Sequence, residues 1–154
     1  MDAVKIGFET SRLLLATVPG SQITEKLKML KTKDETLYSA FSDYINSNEV
    51  REAFFILVGA AAASPKYTCG PAEKGVIRDF RFYTSPDKQP FAFIINQGSL
   101  LFYLRPPAVE SGKWTLADLV NSFSTVNENP RGEWTIKIKD RVEALKVVEE
   151  ILNV

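Results

Sequence analysis

The sequence contains no histidine and a single cysteine, Cys69, among its 154 residues. Without histidine, a Ser-His-Asp triad, a Cys-His pair and a histidine-ligated zinc are all excluded. One cysteine forms neither an internal disulfide nor a thiolate metal cage. A reactive thiol needs an electropositive setting, such as Lys66 or Lys74 could supply. Cys69 is interpreted instead as a small, partly buried residue of a loop.

Glycine-rich phosphate loops are also missing, because the sequence has neither G-x-x-x-x-G-K-[ST] nor G-x-G-x-x-G. An excess of one charge sign is missing as well. Nineteen basic residues balance 19 acidic ones, and residues 1–72 and 73–154 are each balanced separately. A general attraction to nucleic acid or to an anionic membrane is therefore disfavoured, although a local basic patch remains open.

Long apolar runs are absent too. The longest, residues 53–63, has about eleven residues, whereas a membrane-spanning helix needs about 20. Lys5, Glu9 and Arg12 interrupt the N-terminal apolar stretch that a secretory signal would require. The composition, 45% hydrophobic and 25% charged, is that of a soluble globular protein. We expect a cytoplasmic protein with no membrane association.

A change of hydrophobic period near residue 70 predicts the fold class. Apolar residues recur at helical spacing within residues 21–64, which predicts three helices, and residues 4–8 alternate as in a short strand. Residues 65–71 are predicted to form a loop because they contain proline and glycine. Beyond them, short apolar runs are separated by hairpin-length turns. These features predict an α+β protein whose N-terminal helical segment packs with an antiparallel β-sheet.

The C-terminal half is predicted to follow the order β-β-β-α-β-α. Its two helices begin at the capping residues Thr115 and Asp140. The last helix is expected to bury Val142, Leu145, Val148 and Leu152. The predicted strands are residues 76–83, 90–96, 99–105 and 133–139.

A single domain is expected over residues 1–154, with a helical part at residues 1–65 and an α+β part at residues 73–154. The length supports this interpretation, since domains cluster at about 100–150 residues. The polar segment 127–132 is predicted to be a turn that returns the chain to the last strand. A role of this segment in recognition is the alternative, because polar loops often carry recognition.

Strand alternation divides the side chains of the predicted sheet between two faces. Phenylalanine, leucine and isoleucine fill one face as core, together with Trp134. Basic and aromatic side chains share the other face if the strand registers align. These candidate partner-binding residues are Arg81, Tyr83, Tyr103, Arg105, Lys137 and Lys139.

This basic and aromatic face has three interpretations. Tyrosine and arginine are favoured anchors of protein interfaces. Aromatic side chains among arginines and lysines also stack bases and contact phosphates. An ordinary solvated sheet face would carry the same residue types. The balanced charge of the chain favours a protein partner over nucleic acid.

Carboxylates are the remaining candidates for catalysis. Asp79 lies within an apolar strand beside Arg78 and Arg81, and a cross-strand ion pair accounts for it. Alternatively, Asp79 and Glu133 converge in the fold and bind magnesium, which needs only one or two carboxylates besides substrate oxygens. The adjacent pairs Asp34–Glu35 and Glu149–Glu150 are interpreted as solvated surface, because neighbouring helical residues point in different directions.

The sequence therefore predicts a non-catalytic cytoplasmic interaction protein that binds a macromolecular partner, with a protein favoured. We expect no catalytic residue, no cofactor and no metal. A nucleic-acid-binding accessory domain that uses the same sheet face is the first alternative. A carboxylate- or magnesium-dependent enzyme is the second. The oligomeric state is left open.

The order of apolar strands over about the last half of the chain is similar to that of small bacterial double-wing domains of the YjbR type. The similarity is carried by residues 91–94, 101–104 and 132–138, which include Trp134. The charged and histidine positions usual in that group have no counterpart here. The resemblance therefore implies a strand order and carries over no functional residue.

Overall fold

A computed structural model describes residues 32–154 of the chain. In chain order the elements are α1 (Thr32–Tyr44), α2 (Asn48–Ala63), β1 (Thr68–Lys74), β2 (Ile77–Tyr83), β3 (Phe91–Ile95), β4 (Leu100–Leu104), α3 (Pro106–Val109), α4 (Leu116–Ser122), β5 (Val126–Glu128), β6 (Trp134–Ile138) and α5 (Arg141–Val147). The last helix, α5, continues into a π-helical turn at Val148–Leu152. The strands form one antiparallel sheet in the order β1-β2-β3-β4-β6-β5, which confirms the predicted α+β class.

Helix α2 is the central element of the helical layer. It begins after Ser47, whose side-chain oxygen accepts a hydrogen bond from the backbone N–H of Val50 at 3.3 Å. Such a cap satisfies one of the free N–H groups at a helix start. Arg51 joins α2 to the end of α1, because its guanidinium donates to the backbone carbonyls of Ser42 and Ile45. The predicted apolar stripe is fully buried: Val50, Phe54, Leu57, Val58 and Ala61.

The helical layer packs on a face of the sheet that is rich in phenylalanine. Phe80 and Phe93 lie opposite each other on β2 and β3, and their rings stack with centroids 5.1 Å apart. Phe54 of α2 meets Phe93 edge to face at 6.2 Å. Alternation on β3 leaves the side of Phe91, Phe93 and Ile95 undetermined from sequence, and all three are buried in this core. Helices and sheet of the described residues therefore share one hydrophobic core.

The predicted loop over residues 65–71 is wrong in its second half, because β1 starts at Thr68. Pro71 lies within β1, opposite Phe80 of β2. A proline cannot donate to a strand ladder, so it is tolerated on a strand that pairs on one side only. Among the described strands, β1 pairs only with β2. The short strand β5 was likewise missed, since its three residues fall partly within the segment predicted as a turn.

The buried face of the last helix also differs from the prediction. Val142 and Leu145 are exposed, at 62% and 39% of their surface, whereas Ala144, Val147 and Ile151 are buried. Apolar residues occupy more than half of the helix circumference, so the sequence pattern left the rotation of the helix open. Small Ala144 allows α5 to pack closely against α2. The capping prediction is confirmed, since Asp140 accepts from the N–H of Glu143 at 2.9 Å.

Other predicted boundaries agree with the structure to within one or two residues, and Thr115 caps α4 as predicted. The predicted helix around Ile23–Leu30 and the predicted strand at residues 4–8 lie outside the described residues. No helix within residues 32–154 is long and apolar enough to span a membrane.

Phe93→Ala tests the phenylalanine core. Phe93 is fully buried and contacts rings of both the sheet and α2, so its truncation leaves a cavity and is expected to lower the free energy of unfolding by about 3–5 kcal/mol. Val120→Ala is the control, because Val120 is 56% exposed and its change should stay within about 0.5 kcal/mol. Urea denaturation measures both values. A loss below about 1 kcal/mol for Phe93→Ala would contradict this packing.

Candidate functional site: a charged pocket on the open face of the sheet

The face of the sheet opposite the phenylalanine core is called the open face below. Its central row runs through Arg81, Ala92, Tyr103 and Thr135, which lie opposite one another on β2, β3, β4 and β6. Arg81 and Tyr103 are half-buried, in contrast to the fully buried phenylalanines between them in sequence. The described helices therefore leave this face partly exposed.

The open face contains a pocket of about 470 Å³. Its centre is the small side chain of Ala92, which leaves a depression between the larger Arg81 and Tyr103 on the neighbouring strands. This volume lies within the range of about 300–1,000 Å³ that is typical of ligand sites in proteins. The pocket is lined by Lys74, Ile77, Asp79, Arg81, Gln89, Ala92, Ile94, Tyr103, Arg105, Asn129, Pro130, Arg131 and Glu133.

One wall of the pocket is formed by an ion pair within β2. The Nε of Arg81 donates to Oδ2 of Asp79 at 2.8 Å. The predicted ion pair of Asp79 thus exists, but it joins two residues of one strand and not of two strands. Hydrogen bonds with Asp79 first, and then with Tyr83, raise the pKa of Arg81. The second carboxylate oxygen of Asp79, Oδ1, is buried and has no hydrogen-bond partner within the described residues.

The opposite wall is formed by a second ion pair, which joins two strand ends. The Nε of Arg105 donates to Oε1 of Glu133 at 3.0 Å, and its Nη1 donates to Oε1 of Gln89 at 3.0 Å. The side chain of Glu133 is only 7% exposed and also accepts from Nδ2 of Asn129 at 2.9 Å. Arg105 is therefore held from two sides, which fixes the direction of its remaining donors.

The turn between β5 and β6 brings a third arginine to the pocket. Oδ1 of Asn129 accepts from the backbone N–H groups of Arg131 at 2.9 Å and of Glu133 at 3.1 Å. Gly132 has φ +75°, a conformation that a residue with a side chain rarely adopts. Together these features fix the turn, and Arg131 lies exposed at the rim. No acid among residues 36–154 forms an ion pair with Arg131.

Tyr103 lies in the lining of the pocket and responds to the charges of the Arg105–Glu133 wall and of the turn. Burial raises the pKa of its hydroxyl, and the negative charge of Glu133 raises it further. The positive charges of Arg131 and Arg105 act in the opposite direction. Tyr103 is thus a natural reporter of the electrostatic potential in the pocket.

The pocket brings together three of the six predicted partner-binding residues, namely Arg81, Tyr103 and Arg105. Tyr83, Lys137 and Lys139 lie outside its lining. Tyr83 is half-buried and lies two residues after Arg81 on β2. Lys137 is exposed near the end of β6, and Lys139 is exposed just beyond it. The strand registers therefore align the predicted residues on one face, but only the centre of that face forms a concave site.

Lys74, Gln89 and Arg131 were missed by strand alternation, because each lies at a strand end or in a turn. Strand alternation places Glu133 and Thr135 on the open face, where a solvated surface would be expected. Both are nevertheless buried, at 5% and 8% exposure, and Glu133 is bonded to Arg105 and Asn129. A turn sequence in which Asn129 precedes Gly132 by three residues was the available signal for the position of Arg131.

Asp79 and Glu133 converge on the same pocket, as the enzyme alternative requires. Each is bonded to a guanidinium, at 2.8 Å and 3.0 Å respectively. A guanidinium at hydrogen-bond distance repels a divalent cation and engages one oxygen of each carboxylate. No group of three or more Cys, Asp or Glu side chains suited to a metal ion exists within the described part of the chain.

A double-mutant cycle tests the Arg105–Glu133 pair. Arg105→Ala and Glu133→Gln should show a coupling of about 1 kcal/mol in the free energy of unfolding, because Glu133 is buried while Arg105 is partly screened by solvent. The matched control is Arg141→Ala with Glu52→Gln. That pair has the same residue types at 3.4 Å but is 61% and 49% exposed, so its coupling should stay below about 0.5 kcal/mol. Equal couplings for both pairs would contradict the buried network.

The titration of Tyr103 tests the charge arrangement around the pocket. Arg131→Ala should raise the pKa of Tyr103 further, and Glu133→Gln should lower it, because each removes one of the opposing charges. The pKa is measured by NMR of ¹³C-labelled tyrosine, with Arg141→Ala as the control without effect.

The raised pKa of Tyr103 also makes the free energy of unfolding depend on pH. The stability associated with the neutral phenol is present below the unfolded pKa of about 10 and is lost as the pH rises through the folded-state value. Tyr103→Phe should reduce that loss.

No protein-family model matches this chain. No curated protein and no solved structure is significantly similar to it either. None of these comparisons supports the resemblance to double-wing domains, and the pocket itself is the basis for a function.

Proposed function

We propose that this protein is a non-catalytic cytoplasmic interaction protein that binds a protein partner through the open face of its sheet. The observation that supports this proposal best is the 470 Å³ pocket at the centre of that face. Two arginines of the pocket, Arg81 and Arg105, are already held by acids, so their ordering cost is met before any partner arrives. Pre-ordered arginines and tyrosines surrounded by a polar rim are typical of the residues that dominate protein interfaces.

A protein partner fits the pocket better than a nucleic acid does. Arg81 and Arg105 are already paired with Asp79 and Glu133, so they are not free to follow successive phosphates of a nucleic acid. Tyr103 is half-buried in the lining of the pocket, whereas base stacking needs aromatic faces that stand free along a groove. Lys137 and Lys139, which would have to follow a nucleic-acid backbone, lie outside the pocket. A phosphate-tracking surface would need these cations in one continuous line.

A pull-down from native cytoplasm, with and without nuclease, tests the proposal. Wild type is compared with the double variant Arg81→Ala/Tyr103→Ala, which removes two neighbours of Ala92 on the central row. We expect the wild type to retain its protein partners after nuclease treatment and the double variant to lose them. Arg141→Ala, on the helical side of the molecule, is the control that should keep every partner.

Two results would overturn the proposal. Recovery of the same partners by wild type and double variant would exclude the open face as the site. Loss of all partners after nuclease would favour nucleic acid instead. In that case, four phosphate contacts by Arg81, Arg105, Lys137 and Lys139 would make the logarithm of the binding constant fall with log salt at a slope of about −3 to −4.

A further inference from the structure

We infer that the pocket binds an extended acidic segment of the partner, with a carboxylate at Arg131 and backbone amide groups at Asp79 and Gln89. This inference rests on the proposed function and names the chemistry of the group that is bound. It is carried by three features of the pocket: an excess of positive charge, two unpartnered polar atoms and the positions along the sheet of the residues that carry them.

The pocket has an excess of positive charge although the chain as a whole is neutral. Its lining holds four cationic side chains and two anionic ones. The acids are bonded to Arg81 and Arg105, which leaves Arg131 and Lys74 without an ion-pair partner among the side chains of residues 36–154. A ligand that carries one or two negative charges would neutralise this excess. Arg131 is the best-placed donor, because its turn is fixed by Asn129 and its side chain is exposed.

Two polar atoms in the lining lack a hydrogen-bond partner. They are the acceptor Oδ1 of Asp79 and the donor Nε2 of Gln89, and both are buried. Buried polar groups are normally satisfied, so an unsatisfied acceptor and donor beside one cavity point to a ligand that supplies both partners. A peptide backbone offers an N–H for the carboxylate and a C=O for the amide once these side chains turn toward it. A phosphate or a free dicarboxylate offers no N–H.

The residues that carry these atoms lie at different positions along the sheet. Asp79 lies on the row of Ile94, and Gln89 is bonded to Arg105, whose backbone lies two rows further along the strands. Two rows correspond to four residues of strand, or about 13 Å of backbone. An extended peptide of about four residues covers this length and offers a separate amide group to each side chain. A carboxylate on one of its side chains then reaches Arg131 at the rim.

A peptide carboxylate is favoured over a phosphate by the unpartnered acceptor of the pocket. Arginine forms paired hydrogen bonds with either group, so the fork of Arg131 alone does not discriminate between them. The difference arises from Oδ1 of Asp79, which requires an N–H donor that a peptide supplies and a phosphate does not.

The test is an NMR titration of the ¹⁵N-labelled protein with capped tetrapeptides. The probe is acetyl-Ala-Glu-Ala-Ala-amide, and its matched control carries Gln in place of Glu. We expect the Glu peptide to shift the side-chain Nε–Hε signals of the pocket arginines and to bind about tenfold more tightly than the Gln peptide, as one charge-assisted contact implies. Arg131→Ala should abolish this preference, and Arg141→Ala should preserve it. Both changes are at exposed positions, and their melting temperatures verify folding.

Further outcomes separate this inference from the proposed function. Equal binding of both peptides, or equal binding of glutamate alone and the Glu peptide, overturns the inference. Tighter binding of inorganic phosphate or of an oligothymidylate at the same arginines overturns it as well. If the pull-down succeeds but neither peptide shifts the arginine signals, the proposed function stands and the inference fails. If the Glu peptide binds as expected but no protein is captured, the acidic-peptide chemistry of the pocket stands and the proposed protein partner fails.

Discussion

Strand alternation is the constraint on which the rest of this molecule depends. Successive side chains of a strand point to opposite faces, so each phenylalanine that enters the core commits its neighbours to the other side. On β2, Phe80 and Phe82 are fully buried, and Asp79, Arg81 and Tyr83 must therefore share the open face. On β3 the same rule leaves only Ala92 and Ile94 on that face. The pocket exists because a small residue of β3 lies between two large ones of β2 and β4.

Charge on this face is organised by pairs that fix geometry more than they add stability. An arginine that has no partner in the free protein loses side-chain entropy when a ligand fixes its direction. Asp79 and Glu133 bond Arg81 and Arg105 through Nε. Nη1 of Arg105 is also bonded to Gln89, so this guanidinium is held at two points. The turn around Asn129 fixes the backbone of Arg131 by hydrogen bonds and leaves its side chain exposed.

The sequence predicted most of the fold and the centre of the site, and the differences have specific physical reasons. Period and capping residues are local properties, so α2, α4, α5 and the four long central strands were found close to their observed bounds. β1 was missed because Gly70 and Pro71 break strands in general and are tolerated only where one side of the strand has no partner. The rotation of α5 was missed because packing against α2, which is not local, decides which apolar residues are buried.

The site shows the same division between local and non-local information. Arg81, Tyr103 and Arg105 were identified by alternation within single strands. Arg131 and Gln89 lie in connecting segments, whose positions follow from turn geometry and from contacts distant in sequence. The union of Asp79 and Glu133 in one pocket was foreseen only as a possibility of the fold. Their pairing with guanidinium groups, by which they orient Arg81 and Arg105, depends on contacts between side chains that the sequence pattern does not specify.

The two outer strands of the sheet determine the direction from which another chain can approach. A polypeptide that extends a sheet needs a continuous run of unpaired N–H and C=O groups along an edge. At one edge, β1 carries Pro71, which lacks an N–H, and ends in the charged residues Glu73 and Lys74. At the other edge, β5 is three residues long. Both edges of the described sheet are thus poorly suited to strand addition, and the recognition that we propose would use side chains on the broad surface between them.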